Sequence, residues 1–177
     1  MNASERASEL TRCEYLYFSF MVRAMLMMGM RSEETIKMKW AGYRPDILTY
    51  YPDLTKNNEA SAMPIPPLMM EWFEKCRAER DKTGILSPYI CPSPRDPSKP
   101  RAKTTVTDLL DVIAKKMELG AITRHRLRAS FATMLHQANV PVKTIQKLMR
   151  HKRIETTMTY IEVESSELQD AVNTVFA

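Results

Sequence analysis

Hydrophobic positions recur at helical spacing through most of the chain, and the interruptions fall at proline, glycine and polar clusters. Residues 8–28 are dense in Leu, Met, Phe and Tyr and stop near Gly29, which predicts a first helix with Tyr15 and Tyr17 in the core. A shorter helix is predicted over 32–39, with Ser32 as N-cap and Glu33 and Glu34 where carboxylates offset the helix dipole. Between residues 46 and 66 the period changes. Segments 47–51 and 60–65 read as short strands joined by the turn chemistry of Lys56-Asn57-Asn58, so a small β-hairpin is predicted. Pro67 can then open a helix with Leu68, Met69, Trp72, Phe73 and Cys76 on one face, ending before Gly84.

Residues 86–104 hold five of the eleven prolines and several cations, the signature of a surface loop. Four helical segments follow. Residues 107–119 place Leu109, Leu110, Ile113 and Met117 at helical spacing, and 125–138 does so with Leu127, Phe131, Met134 and Leu135, with Asn139 suited to a left-handed C′ position. Residues 141–149 use Val142, Ile145 and Leu148. The last begins at Ser166, with Gln169 completing a capping-box pattern, and carries Leu168, Val172 and Val175. The expected fold is mainly α with a small antiparallel β-sheet (α+β), in a single domain over residues 1–177.

Composition agrees with a globular chain: 177 residues, 44% hydrophobic and 27% charged, can bury a core. The best apolar stretch, 15–30, is interrupted by Ser19 and Arg23 and is too short to span a membrane, and the first ten residues lack a signal-peptide pattern. Cys13, Cys76 and Cys91 are odd in number and widely spaced, which argues against a disulfide framework and points to a reducing cytoplasm. A formal net charge of +5 says little by itself. Its placement says more: residues 101–153 hold 12 Lys/Arg against 3 acids, a local +9, while the remainder nets −4. Such asymmetry favours a polyanion partner, nucleic acid ahead of anionic membrane, over a merely solvated basic face.

Most familiar enzyme signatures are missing. There is no Gly-rich phosphate loop, no His-Glu-x-x-His and no Gly-x-Ser-x-Gly, and the His and Cys residues lack metal-ligand spacing, so neither cofactor nor metal is expected. What remains is an ordered set of cations and one tyrosine. His125 and Arg128 sit three apart at a predicted helix start, His151 follows a predicted helix end, and Tyr160 lies nine residues beyond it in Thr156-Thr-Met-Thr-Tyr160.

On these residues the chain resembles the catalytic domain of tyrosine recombinases, the phage-integrase family. His125-Arg-Leu-Arg128 with Ser130-Phe-Ala-Thr133 is similar to that family's His-x-x-Arg box, and His151 and Tyr160 to its second histidine and nucleophile. Gly29-Met-Arg-Ser-Glu-Glu-Thr-Ile-Lys-Met-Lys-Trp40 is similar to the box of the first catalytic arginine, here Arg31, and Lys56 falls on the catalytic lysine. The resemblance runs from about residue 10 to the C-terminus and implies the family's fold and its activity, site-specific DNA strand cleavage and rejoining through a covalent 3′-phosphotyrosyl link. Arg31 and Arg128 would clamp the phosphate, His125 accept a proton or orient, His151 donate a hydrogen bond, and Lys56 protonate the leaving 5′-oxygen. Glu34 matches an often acidic position and reads as a positioning partner, and His136 matches nothing and reads as an exposed helix residue.

The chemistry explains the residue types. Attack on a phosphodiester builds charge on non-bridging oxygens, which fixed arginines bind bidentately, and the phenol must lose its proton as it attacks. Arg124, Arg126, Arg150, Lys152 and Arg153 flank the boxes and are candidate contacts to double-stranded DNA. Arg150 departs from the family pattern, which has glycine there. If that backbone needs a positive φ, arginine costs about 1 kcal/mol or more, so a differently built helix end is expected. The family's N-terminal core-binding domain has no counterpart before the first predicted helix, and weak, salt-sensitive DNA binding is expected of this piece. The resemblance further implies a homotetramer on DNA for a full-length member, a monomer remaining open for the isolated domain, and a cytoplasmic, nucleoid-associated protein of bacterial or phage origin. Rival readings are a type IB topoisomerase-like enzyme and a non-catalytic DNA-binding remnant.

Overall fold

The computed structural model describes residues 3–52, 62–118 and 120–161. Two compact units divide the chain, Met1–Phe131 and Ala132–Ala177. The predicted hairpin turn with Lys56 and the predicted helix from Ser166 lie outside the described residues.

The first unit begins with α1 (Ala3–Met27), followed by α2 (Ser32–Ile36), the short strands β1 (Tyr43–Arg44), β2 (Thr49–Tyr50) and β3 (Met63–Pro64), then α3 (Pro67–Thr83) and α4 (Lys103–Lys116). Its strands form one antiparallel sheet in the order β1-β2-β3, with Tyr43 opposite Tyr50 and Tyr50 opposite Met63. The mainly helical fold with a small antiparallel sheet is as expected; β1 was not foreseen. α3 has the predicted bounds because proline opens it and Gly84, at φ +64°, closes it in the left-handed region.

Apolar side chains of α1, α2, α3 and the sheet meet in one core around Phe20, Met21, Met25, Tyr50 and Phe73. Phe73 stacks on Tyr43 at 4.2 Å and meets Phe20 edge-on at 5.0 Å. Several facings differ from expectation. Tyr15 and Leu68 are exposed rather than in the core, and Met134 and Met117, the latter just past the end of α4, also face solvent. α4 starts four residues before the predicted Thr107.

The proline-rich segment is more than a surface loop. Ile90 and Cys91 are in the core, the Ile90 N–H donates to Met38 O at 2.9 Å and the Trp40 N–H to Pro88 O at 3.0 Å. Arg101 is 4% exposed, paired with Glu14 and placed over the Tyr17 ring, so this cation of the basic stretch serves the interior and not a polyanion. Cys13, Cys76 and Cys91 are free thiols. Among the described residues no helix is long and apolar enough to cross a membrane.

α5 (Arg124–Gln137) starts in the first unit and ends in the second, where α6 (Val142–Met149) and α7 (Glu155–Met158) follow. Asn139 takes the left-handed conformation expected after α5, at φ +59°. Ala132, Ile145, Met149 and Ile161 are the buried apolar side chains of the second unit's described residues. His136 is half-buried, not exposed as its sequence context suggested.

Candidate active site

The first unit carries Arg31, His125 and Arg128. α1 ends at Gly29, which adopts φ +59° while the Met30 N–H reaches back to Ala24 O at 3.3 Å. A Cβ at Gly29 would lie 2.5 Å from Phe131 Cδ1, so this turn needs glycine both for its φ and for its closeness to the ring. The Gly29 carbonyl accepts a hydrogen bond from Arg128 Nη1. Arg31 follows at once as the N-cap of α2, displacing the predicted Ser32 into the helix. Its backbone N–H donates to Glu34 Oε2 at 2.9 Å and its guanidinium to Oε1 at 3.0 Å, while its carbonyl accepts from Thr35 N–H and Oγ1. Glu34 is thereby the positioning partner that the sequence suggested.

Thr123 starts α5, accepting from the Arg126 N–H at 3.1 Å, an N-cap that the sequence reading passed over. Four residues on, Leu127 packs into the core and Arg128 is 6% exposed, whereas His125 in the first turn is exposed. One chain turn, 29–34, therefore anchors both arginines: one by its backbone and one through a carbonyl bond. Arg126 gives its Nη1 to Ala121 O at 2.7 Å.

The second unit carries His151 and Tyr160. α6 ends in Arg150, at φ +52° and ψ +44°, with the Arg150 N–H on Lys147 O at 3.0 Å and the His151 N–H on Gln146 O at 3.1 Å. The expectation of a differently built helix end is thus corrected: the helix closes through a left-handed residue although that residue is arginine, and in this conformation the Lys147 and Gln146 carbonyls both find donors. Gln146 Nε2 returns a bond to the His151 carbonyl at 3.1 Å. The His151 ring meets Thr157 Oγ1 through Nδ1 at 2.9 Å and lies 6.0 Å from the Tyr160 ring, centroid to centroid. Thr133 Oγ1 donates to the Tyr160 carbonyl at 3.2 Å. Lys152 and Arg153 are exposed, and Arg124 and Arg150 half-buried.

Two tyrosines and two thiols of the first unit are held in their protonated forms. Burial, then a hydrogen bond to Glu74, push the Tyr43 phenol up to about 12, and burial raises Tyr17 further. Burial and Glu79 likewise push the Cys13 thiol up to about 11, and contact with Cys91, then burial, raise Cys76. Tyr160 is half-buried, with the His151 ring beside it. Among the described residues no cluster of His, Cys, Asp and Glu could hold a metal ion.

A family model described as "Phage integrase family" matches residues 1–167. The chain belongs to the phage integrase family. Within it, the chain is 31% identical over 119 residues to tyrosine recombinase XerA of Pyrococcus furiosus, covering 66% of this chain and 40% of that protein. Against the integrase of Escherichia phage P2 the identity is 33% over 119 residues, covering 67% of this chain and 30% of that protein. This family member therefore spans less than half the length of these relatives. In fold it is similar to the crystal structure of XerA recombinase, with a TM-score of 0.77 at 17% identity over 100% of this chain and 65% of that one.

The order and spacing of the boxes made the family legible, and the residues between them carried less signal. Thr157, Thr133 and Gln146 stand inside or beside the quoted boxes, yet nothing in their spacing announces which atom each would hold.

Proposed function

We propose that the chain is the catalytic part of a site-specific DNA recombinase, cleaving and rejoining strands through a covalent 3′-phosphotyrosyl intermediate. The observation that carries this reading is the anchoring of Arg31 and Arg128 at one turn, in a family member that places His151 against Tyr160. The names of its relatives, tyrosine recombinases and an integrase, lend further support.

In the proposed reaction, Tyr160 Oη loses its proton and attacks the scissile phosphorus, forming the P–O(Tyr) bond as the P–O5′ bond breaks. Arg31 and Arg128 take the charge that develops on the non-bridging oxygens, and His151 donates to one of them. His125 accepts the phenolic proton or orients the attack, and Lys56 supplies a proton to the departing 5′-oxygen. Attack by a 5′-hydroxyl of a second strand reverses these steps and releases Tyr160. Arg124, Arg126, Arg150, Lys152 and Arg153 contribute contacts to the duplex backbone, so affinity falls with salt. In the full-length protein these units act as a homotetramer on DNA.

A nicked suicide substrate tests the reading, because loss of the short 5′ fragment traps the covalent complex. The 177-residue chain is expected to form an adduct that resists denaturation, and Tyr160→Phe to form none. An adduct that survives in Tyr160→Phe would overturn the assignment of the nucleophile. A chain that binds duplexes carrying its recombination site and never forms an adduct would overturn the catalytic reading.

A further inference from the structure

Among the described residues, several threonines give their hydroxyl protons to main-chain carbonyls. Thr35 donates to Arg31 O, Thr83 to Glu79 O, Thr133 to Tyr160 O and Thr159 to Thr156 O. Thr157 departs from that pattern. Its side chain is 0% exposed, and its hydroxyl meets a ring nitrogen, His151 Nδ1, at 2.9 Å. A buried hydroxyl cut off from water needs an acceptor for its proton, and leaving one unmatched is costly. Among the described residues, the hydrogen bond that Thr157 Oγ1 makes is this one.

The two possible directions of that bond are not equivalent. If Nδ1–H donates to Oγ1, the hydroxyl proton is left inside the unit with no acceptor. If the hydroxyl donates to Nδ1, both groups are satisfied, and the neutral imidazole must carry its own proton on Nε2. Gln146 fixes the backbone from which the ring projects, its carbonyl accepting from the His151 N–H and its side chain donating to the His151 carbonyl.

We propose that Thr157 is a positioning residue for His151: its hydroxyl donates to Nδ1, fixes the neutral ring as the Nε2–H tautomer, and so makes Nε2 the hydrogen-bond donor for the scissile phosphate. The part played by the phosphate rests on the recombinase reading. The tautomer itself does not. Thr157→Val keeps the shape of the side chain and removes the donor; Thr157→Ser keeps the donor and removes a methyl.

The test has two independent arms on the full 177-residue chain. In the first, the protein labelled with 15N-histidine is observed by long-range 1H–15N NMR without DNA, with His151→Gln used to assign the ring. The wild type and Thr157→Ser are expected to show an unprotonated Nδ1 and a protonated Nε2, and Thr157→Val to lose that bias. A protonated Nδ1 in the neutral wild-type ring, or the same tautomer in Thr157→Val, would overturn the inference. In the second, Thr157→Val is expected to form the suicide-substrate adduct about 10–100-fold more slowly, by analogy with lost partners of other oriented histidines, and Thr157→Ser to recover most of the rate. Equal rates in wild type and Thr157→Val would overturn the functional half of the inference. Absence of any adduct in wild type, with the tautomer bias present, would leave Thr157 as the group that sets the ring and would count against the recombinase reading alone.

Discussion

The two units hold their site residues by different physics. In the first, Arg128 is nearly buried and bonded to the Gly29 carbonyl, beside a core that includes Phe20, Met21, Met25, Met28 and Phe73, all shielded from solvent. In the second, the buried apolar side chains of the described residues are few, and polar bonds from Gln146, Thr157 and Thr133 reach His151 and Tyr160. Each large apolar side chain in the first unit contributes several kcal/mol, while each neutral hydrogen bond in the second contributes about 0.5–1.5 kcal/mol net. The two arginines proposed to hold the phosphate thus belong to the unit with the larger set of buried apolar side chains. The proposed nucleophile sits where small polar changes can move it at little cost to the fold.

The largest expected effect breaks the first side of this comparison. Phe73 is fully buried between Tyr43, Phe20 and Tyr50, and Phe73→Ala removes a stacked ring from that centre. We expect a loss of about 3–5 kcal/mol, read as a lower denaturant midpoint. A loss below about 1 kcal/mol would mean that the ring cluster is not what holds the unit together.

Gly29→Ala sharpens the comparison by acting where the core meets the proposed clamp. The new Cβ meets the Phe131 ring at 2.5 Å and the residue keeps φ +59°, so overpacking and left-handed strain combine to about 2–4 kcal/mol. The Gly29 carbonyl also carries the Arg128 bond, so adduct formation is expected to slow more than the stability loss explains at temperatures where the variant stays folded. Adduct formation at the wild-type rate in the folded variant would show that this carbonyl does not set the position of Arg128.

Sequence reasoning reached the two units unequally. α3 was legible because Pro67 and Gly84 act locally, and the site boxes because their order and spacing are written along the chain. Pairings made between distant segments were not. β1 is two residues long and exists through Tyr43 facing Tyr50, and buried Ile90 is tied to Met38 and buried Cys91 to Tyr17, which no proline count in 86–104 reveals. Arg101 illustrates the limit of a charge tally: it belongs to the basic stretch, yet Glu14, 87 positions away, takes it out of the surface charge. Arg128 and Tyr160 could be named from the sequence, whereas the Gly29 carbonyl and the Thr133 hydroxyl that hold them could not.

Arg150→Gly carries the smallest stability effect and separates two properties of one residue in the second unit. Glycine relieves a left-handed φ of +52°, worth about 1 kcal/mol, and adds chain entropy to the unfolded state worth about 0.5 kcal/mol, so a net gain of about 0.5 kcal/mol is expected. If the side chain also meets the DNA backbone as proposed, the same variant binds duplex less tightly, and the slope of log affinity against log salt falls by about 1. Stability and affinity would then move in opposite directions, as expected of a strained position retained for contact with a ligand. Unchanged affinity and an unchanged salt slope would remove Arg150 from the set of proposed DNA contacts. Denaturant titration of the free chain and fluorescence anisotropy with labelled duplex at several salt concentrations supply the two readings.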